Sequence, residues 1–395
     1  MKKLIFIIYI LTLSFNQIKA QNWINYDTSN SGLVWNVIES IATDSQGYKW
    51  FGTEGYGVSR FDGSNWVSYT PSNSGLLQGN VNSIAIDALG QKWFATANGV
   101  SKFDGTKWTN YTMASGLIYG YVHSIDIDYK GNKWFATTAG VSKFDDSLWT
   151  NYHDTMLTSG GYVSTVKIDN KGNKWFGIYG GGVVKFNDTI WTKYATYNSK
   201  LLGDFVNAIA IDANGDKWFG TSNGVSKFDG TTWTNYTTAN GLSNNYIFSI
   251  AIDSKGNKWF GTYGGGVSVF DGVNWTNYTS TNGLIQNRVL SIGIDAHGDK
   301  WFGTHGGLSR FTGFLGIDEV YEKRQSVYPN PVTNKLFISE LVLNSEISIY
   351  NMNGQLVFRK QVDNSEIDID QIETGIYIVK IVNDNGMTIK KIIKK

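Results

Sequence analysis

The stretch Val206–Tyr236, VNAIAIDANGDKWFGTSNGVSKFDGTTWTNY, holds four short β-prone runs, each parted from the next by a turn signal. The first, VNAIAI, is rich in β-branched residues and apolar on both faces, as a strand sandwiched between neighbouring sheets should be. Asp212 and Gly215 then bracket a tight turn. The carboxylate can accept backbone N–H groups there, and the glycine tolerates the left-handed conformation of a bulged hairpin. KWFGT reads as the second strand, with Trp218 placed to pack between sheets. Asn223-Gly224 turns the chain into VSKF, and Asp229-Gly230 turns it again into WTNY. Four antiparallel strands, here lettered A to D in chain order, make one sheet.

The same sheet is written seven times. The segment Asp-x-x-Gly-x-Lys-Trp recurs at Trp50, Trp93, Trp134, Trp175, Trp218, Trp259 and Trp301, with spacings of 43, 41, 41, 43, 41 and 42 residues. A period near 42 with four strands per unit is that of propeller blades. The sequence therefore predicts an all-β fold, a seven-bladed β-propeller. Counting D strands by their tryptophans gives Trp23, Trp66, Trp108, Trp149, Trp191, Trp233 and Trp275, and the first of these precedes every A strand. The seventh A-B-C set ends at Phe311 with no Trp-x-x-Tyr after it. NWINYD, Asn22–Asp27, is thus expected to supply the outer strand of blade seven and so close the ring without a free edge.

Composition agrees with such a fold and narrows the compartment. Lys2 and Lys3, an apolar run from Leu4 to Leu13 and a small-residue end at Ala20 read as a secretory signal peptide over residues 1–20. The apolar run is about half the length a membrane-spanning helix needs, and no other stretch is apolar enough to span a bilayer. Removing the leader takes Lys2, Lys3 and Lys19 from 34 basic residues, leaving 31 against 33 acidic ones, a charge of −2 that carries no nucleic-acid footprint. With no cysteine, an exported chain must be held by buried area and strand pairing. Fourteen of the 15 tryptophans occupy the two repeat positions and are read as core; Trp35, in the loop before the first A strand, is the exception.

The repeats resemble those of two-component regulator propellers, whose pattern is well shown by IDSKGNKWFGTYGGGVSVFDG, Ile252–Gly272; the resemblance covers residues 21–311. It implies a ligand-recognising ring, since in that family the repeats usually form the sensor part of membrane histidine kinases that detect glycan fragments. No kinase or membrane span is read in this chain, so the signalling role does not carry over.

After Phe311 tryptophan disappears, and TGFLGIDEVYEKRQ, residues 312–325, reads as a linker. Residues 326–395 alternate short strands with turns, among them Asn353-Gly354 and Asn385-Gly386, and predict a small C-terminal β-sandwich. This segment is similar to the C-terminal sorting domain of type IX secretion cargo in Bacteroidetes. The similarity rests on YPNPVTNKLFI (Tyr328–Ile338), ISIYNMNGQLV (Ile347–Val357), TGIYIVKI (Thr374–Ile381) and the terminal Lys390, Lys391, Lys394 and Lys395. It implies the type IX secretion machinery as partner, removal of the domain after export, and a passenger that is secreted or held at the cell surface.

The chemistry-bearing motifs are few. DANGD (Asp212–Asp216) and DAHGD (Asp295–Asp299) look metal-like, but both sit in the repeated A–B turn and lack the distal Glu of a calcium loop. Neither a metal nor a cofactor is expected, and no catalytic residue is assigned. The NYT sequons at Asn110, Asn235 and Asn277 read as accidents of the D strand, whereas Ser147, Thr155 and Thr189 resemble Asp-Ser/Thr-hydrophobic O-glycosylation sites of Bacteroidetes. An enzyme reading rests on Glu54 and His305, in B–C loops of the two blades that adjoin at closure. They would serve as a proton-abstracting pair in a propeller lyase of the streptogramin class.

The binding reading looks to the face bearing the D–A and B–C loops. There the residue before each A strand is Val37, Asn80, Tyr121, Tyr162, Phe205, Tyr246 or Arg288, and Tyr56, Tyr179, Tyr263 and His305 come from B–C loops. The candidate ligand-binding set is Tyr121, Tyr162, Tyr179, Phe205, Tyr246, Tyr263, Arg288 and His305. Rings with polar ends suit a glycan or peptide side chains. The alternatives are that the rings only seal the channel mouth, and that the disc is a scaffold or adhesin for a protein partner.

Overall fold

The computed structural model describes residues 23–312, 327–339, 345–362, 364–383 and 386–395. The expected leader and nearly all of the expected linker lie outside them. Residues 23–312 form seven four-stranded sheets, each antiparallel and ordered A-B-C-D, beginning with Ile38–Thr43, Lys49–Thr53, Val58–Phe61 and Trp66–Tyr69 in blade one. Blade seven takes Val289–Ile294, Lys300–Thr304 and Gly307–Phe311 from one end of the propeller and Trp23–Tyr26 from the other. The closing strand runs antiparallel to its partner, with Trp23 opposite Phe311 and Tyr26 opposite Leu308. Ser309 Oγ donates to Asn25 Oδ1 at 2.7 Å, and the Asn25 amide donates to Gly283 O at 3.0 Å, fastening the borrowed strand to the adjacent D–A loop.

The repeated motif proves to be an inter-blade joint. In blade one, one oxygen of Asp44 accepts the backbone N–H groups of Gln46 and Tyr48, while the other accepts the indole N–H of Trp50 at 3.0 Å. All seven tryptophans of strand B donate to the Asp six residues earlier, at 2.9–3.1 Å. The motif lysine looks the other way, across to the preceding blade. Lys92 Nζ lies 5.3 Å from the Trp50 ring centre and 3.4 Å from Asp44. Each of the seven lysines sits over the tryptophan of the blade before it, at 4.8–5.7 Å, and Lys49 of blade one completes the circle over Trp301 of blade seven. Burial pushes the carboxyl of Asp128 up, yet hydrogen bonds from Asn132 and the Trp134 indole outweigh it and hold the group below its ordinary value.

The two tryptophan sets are not equivalent. Strand B indoles are 0–2% exposed, and each contributes at most about 4–6 kcal/mol of burial. Strand D indoles are half-buried at the rim and lie against the strand C phenylalanine, as Trp66 does on Phe61 at 4.5 Å. The asparagine of WTNY is also structural, since Asn110 accepts from Ser101 Oγ at 2.7 Å and donates to Gly75 O at 3.0 Å.

The described residues from 327 onward belong to a separate compact unit. One sheet orders Leu356–Val362, Ser345–Asn351, Gly375–Asn383 and Gly386–Lys394; a smaller one orders Val327–Tyr328, Lys335–Ile338 and Glu366–Asp368. Leu336, Ile347, Ile349, Val379, Ile381 and Ile392 form the core of this sandwich. Asn330, in the YPNPV block, donates to Lys391 O and accepts from the Ile393 N–H, both at 2.9 Å, gripping the last strand. Among the described residues no helix is long and apolar enough to cross a membrane.

Candidate ligand-binding site

The site begins with an irregularity in strand A. In every blade the A–B register slips after the first strand A residue, between Ile38 and Ser40 in blade one and between Val289 and Ser291 in blade seven. Such a β-bulge leaves one residue unpaired and re-aims its side chain. The seven residues released are Glu39, Asn82, His123, Ser164, Asn207, Phe248 and Leu290, and all seven line one cavity of about 450 Å³. Glu54, Asn80, Tyr121, Tyr162, Tyr179, Tyr246 and Arg288 complete its wall.

Five of the eight sequence candidates, Tyr121, Tyr162, Tyr179, Tyr246 and Arg288, therefore meet in this cavity. Three do not line it. Phe205 is exposed and packs edge-on against Tyr179 at 4.8 Å; Tyr263 is exposed and supports Arg288 from outside, with the guanidinium 4.9 Å from its ring. His305 is exposed, and its backbone N–H donates to Arg288 O at 3.2 Å. Of the lyase pair, Glu54 reaches the cavity wall and His305 does not. Val37 is buried in the core. The bulge residues escape a reading of the sequence by loops, although the repeats carry a signal for them. Strand A position one is Val or Ile in all seven blades and position four likewise, while position two shows six residue types.

The wall has two characters. Blades three, four and six supply rings: His123 stacks on Tyr162 at 4.4 Å and 16°, Tyr162 stacks on Tyr179 at 4.9 Å and 9°, and Tyr246 lies 5.1 Å from Phe248. Blades seven, one and two supply Arg288, Glu39, Glu54, Asn80 and Asn82. Asn82 and Asn207 are fixed by donating to the carbonyls of Val122 and Ile247 in the next blade, at 2.8 and 2.9 Å. Burial lowers the His123 imidazole to about 4, so it is neutral at ordinary pH, with Nε2 3.1 Å from Thr138 Oγ1. Burial, together with a hydrogen bond to Tyr179, pushes the Tyr246 hydroxyl up to about 12. The Glu39 carboxyl is raised by burial and by the Glu54 charge, with Arg288 opposing. Buried Asn80 Oδ1 and Arg288 Nε have no hydrogen-bond partner among the described residues.

Trp35 and Tyr56 of blade one stack on each other at 4.1 Å and 20° with both rings exposed. Ser147, Thr155 and Thr189 are exposed, Ser147 and Thr189 within C–D turns and Thr155 opening a one-turn helix.

Two families match parts of this chain. Residues 326–395 match the secretion system C-terminal sorting domain, and residues 241–264 match the two component regulator propeller. A β-agarase D from Zobellia galactanivorans is 40% identical over 70 residues, 18% of this chain and 14% of that enzyme. Among solved structures, PorZ, an essential surface component of the type IX secretion system of Porphyromonas gingivalis, superposes with a TM-score of 0.65 at 18% identity, covering 94% of this chain and 60% of that one. The extracellular domain of BT3049, assigned to a hybrid two component system of B. thetaiotaomicron, gives 0.66 at 22% identity, with 95% and 57% covered. This chain thus spans about three fifths of the length of either. A virginiamycin B lyase from Staphylococcus aureus gives 0.60 at 14% identity, with 73% and 98% covered. At these identities the structural likenesses establish the fold alone. The chain joins two-component-regulator propeller repeats to a type IX sorting domain, and the protein is secreted or displayed at the cell surface.

Proposed function

We propose that the propeller is a ligand-recognition module displayed outside the cell, and that its axial cavity binds a saccharide. The observation that carries this reading is the division of one cavity into a wall of stacked rings and a facing wall of amides, carboxylates and a guanidinium. A pyranose has an apolar face to lay on a ring and a rim of hydroxyls to hydrogen-bond. The polar wall answers that rim with mixed donors and acceptors, two of them buried and unpaired. We also propose the division of labour along the chain: a leader over 1–20, the propeller over 21–311, a linker over 312–325, and a domain over 326–395 that engages the type IX machinery.

A glycan array probed with the full chain tests the reading. Binding that falls at least about tenfold in Tyr162→Ala, with the melting temperature nearly kept, supports it. Capture of a surface protein with no glycan bound would favour the scaffold reading instead.

A further inference from the structure

We propose that the group this cavity receives is a protonated amine; resting on the saccharide reading above, the ligand is an amino-sugar unit whose nitrogen carries no acetyl group. Three charged side chains stand on the wall, Glu39, Glu54 and Arg288. The guanidinium of Arg288 lies 5.4 Å from the ring of Phe248 and 4.9 Å from that of Tyr263, both in blade six. Those two π faces attract a cation, and Arg288 forms no ion pair with either glutamate. Among the described residues the carboxylates of Glu39 and Glu54 have no hydrogen-bond or ion-pair partner. The one cation is thus held against rings, its charge tempers that of Glu39 without pairing with it, and neither carboxylate of the cavity has a direct partner.

Charge and hydrogen-bond capacity point the same way. Ionised carboxylates only accept, and the unpaired Asn80 Oδ1 is a further acceptor; an ammonium brings three N–H donors and a positive charge. The opposite wall favours it too, since it is lined by the electron-rich rings of Tyr121, Tyr162 and Tyr179. His123 adds no opposing charge, because burial keeps it neutral. An anionic sugar would meet both glutamates with like charge, and an N-acetylated one would bury an amide carbonyl against acceptors. Burial, and after it the Glu54 charge, also makes the ionised Glu39 unfavourable in the empty protein, a cost that a bound ammonium would relieve.

The test uses the full chain, mildly acidic buffer and three β-1,4-linked tetrasaccharides matched in length: chitosan tetramer, its fully N-acetylated form, and cellotetraose, with trilysine as a non-saccharide amine. Calorimetry should show the chitosan tetramer binding about tenfold or more tighter than either other sugar. That binding should weaken as salt is raised, and Glu39→Gln and Glu54→Gln should each remove most of the preference without lowering the melting temperature. Equal or better binding of the acetylated or neutral tetramer overturns the amine inference and leaves the saccharide reading standing. Binding of trilysine with none of the sugars overturns the saccharide reading and supports the amine. Binding of neither amine probe overturns the inference, as does chitosan binding that ignores both Gln variants.

Discussion

The joints between blades and the ring of residues around the axis are built from the same seven repeats, yet one is uniform and the other is not. At every joint an Asp holds a Trp, and a Lys from the following blade covers that Trp. Around the axis the bulged position carries Glu, Asn, His, Ser, Asn, Phe and Leu. A joint is asked the same question seven times and gives one answer. The axial cavity meets no such repeated demand, so its wall is free to diverge blade by blade. Uniformity here marks stability, and diversity at a geometrically equivalent position marks the place to look for function.

That comparison can be broken most severely at closure. Deleting Trp23–Tyr26 strips the outer strand from blade seven and removes the Trp23 ring from its contacts with Phe311 at 4.7 Å and Tyr278 at 5.5 Å. The expected result is loss of soluble protein, read by size-exclusion chromatography; an unchanged elution profile and melting temperature would refute the borrowed-strand account.

A joint and a wall residue should then differ in kind. Trp218→Ala leaves a cavity among Val225, Ile247 and Phe260 and takes the indole N–H from one oxygen of Asp212, so chemical denaturation should show a loss of about 3–5 kcal/mol. Tyr162→Ala, at a half-buried ring, should cost only about 1 kcal/mol while taking most of the ligand affinity. Equal stability losses would reduce the aromatic wall to packing.

Lys92→Met keeps the aliphatic stem over Trp50 but removes the charge shared with that ring and Asp44. A cost of about 1–2 kcal/mol is expected, and raising salt should recover little of it, because the side chains are largely shielded.

The smallest effect has the opposite sign. Glu39 is raised above its ordinary 4.5 by burial and by Glu54, with Arg288 pulling the other way. Folding therefore disfavours its ionised form, and the protein loses stability as pH climbs from about 4.5 through the raised value. Glu39→Gln should melt higher than the parent above that window and equal to it below. A variant that melts lower at neutral pH would show that Glu39 has a stabilising partner.

Much of the fold is legible in the amino-acid sequence alone. The 42-residue period, the turn glycines and the unpaired NWINYD yield blade number, strand order and closure, because each is a local pattern repeated at fixed spacing. The site is half legible. Tyr121, Tyr162, Tyr179, Tyr246 and Arg288 stand out because they precede strand A or sit in B–C loops. Strand A is packed on both faces, so no polar-apolar alternation marks the residue its bulge turns inward; His123 and Glu39 go unseen for that reason. Phe205 and Tyr263 fail in the opposite direction. Their loop positions are right, but side-chain direction in a loop is set by pairings such as the Tyr179–Phe205 and Tyr263–Arg288 bridges, which no spacing reveals.

The borrowed strand also has a mechanical meaning. Trp23 and Phe311, the outer ends of the paired closing strands, lie directly opposite each other, so the chain enters and leaves the propeller side by side. A pull between those two ends would load the ladder as a zipper, one hydrogen-bonded pair at a time beginning at Trp23–Phe311, rather than shearing all the pairs together. Tension applied to the Phe311 end alone is shared between two ladders, because Phe311 also pairs with Lys300 of the neighbouring strand. A ring closed in this way opens most readily when its two ends are drawn apart, and a single tether at Phe311 pulls against pairing on both sides of its strand.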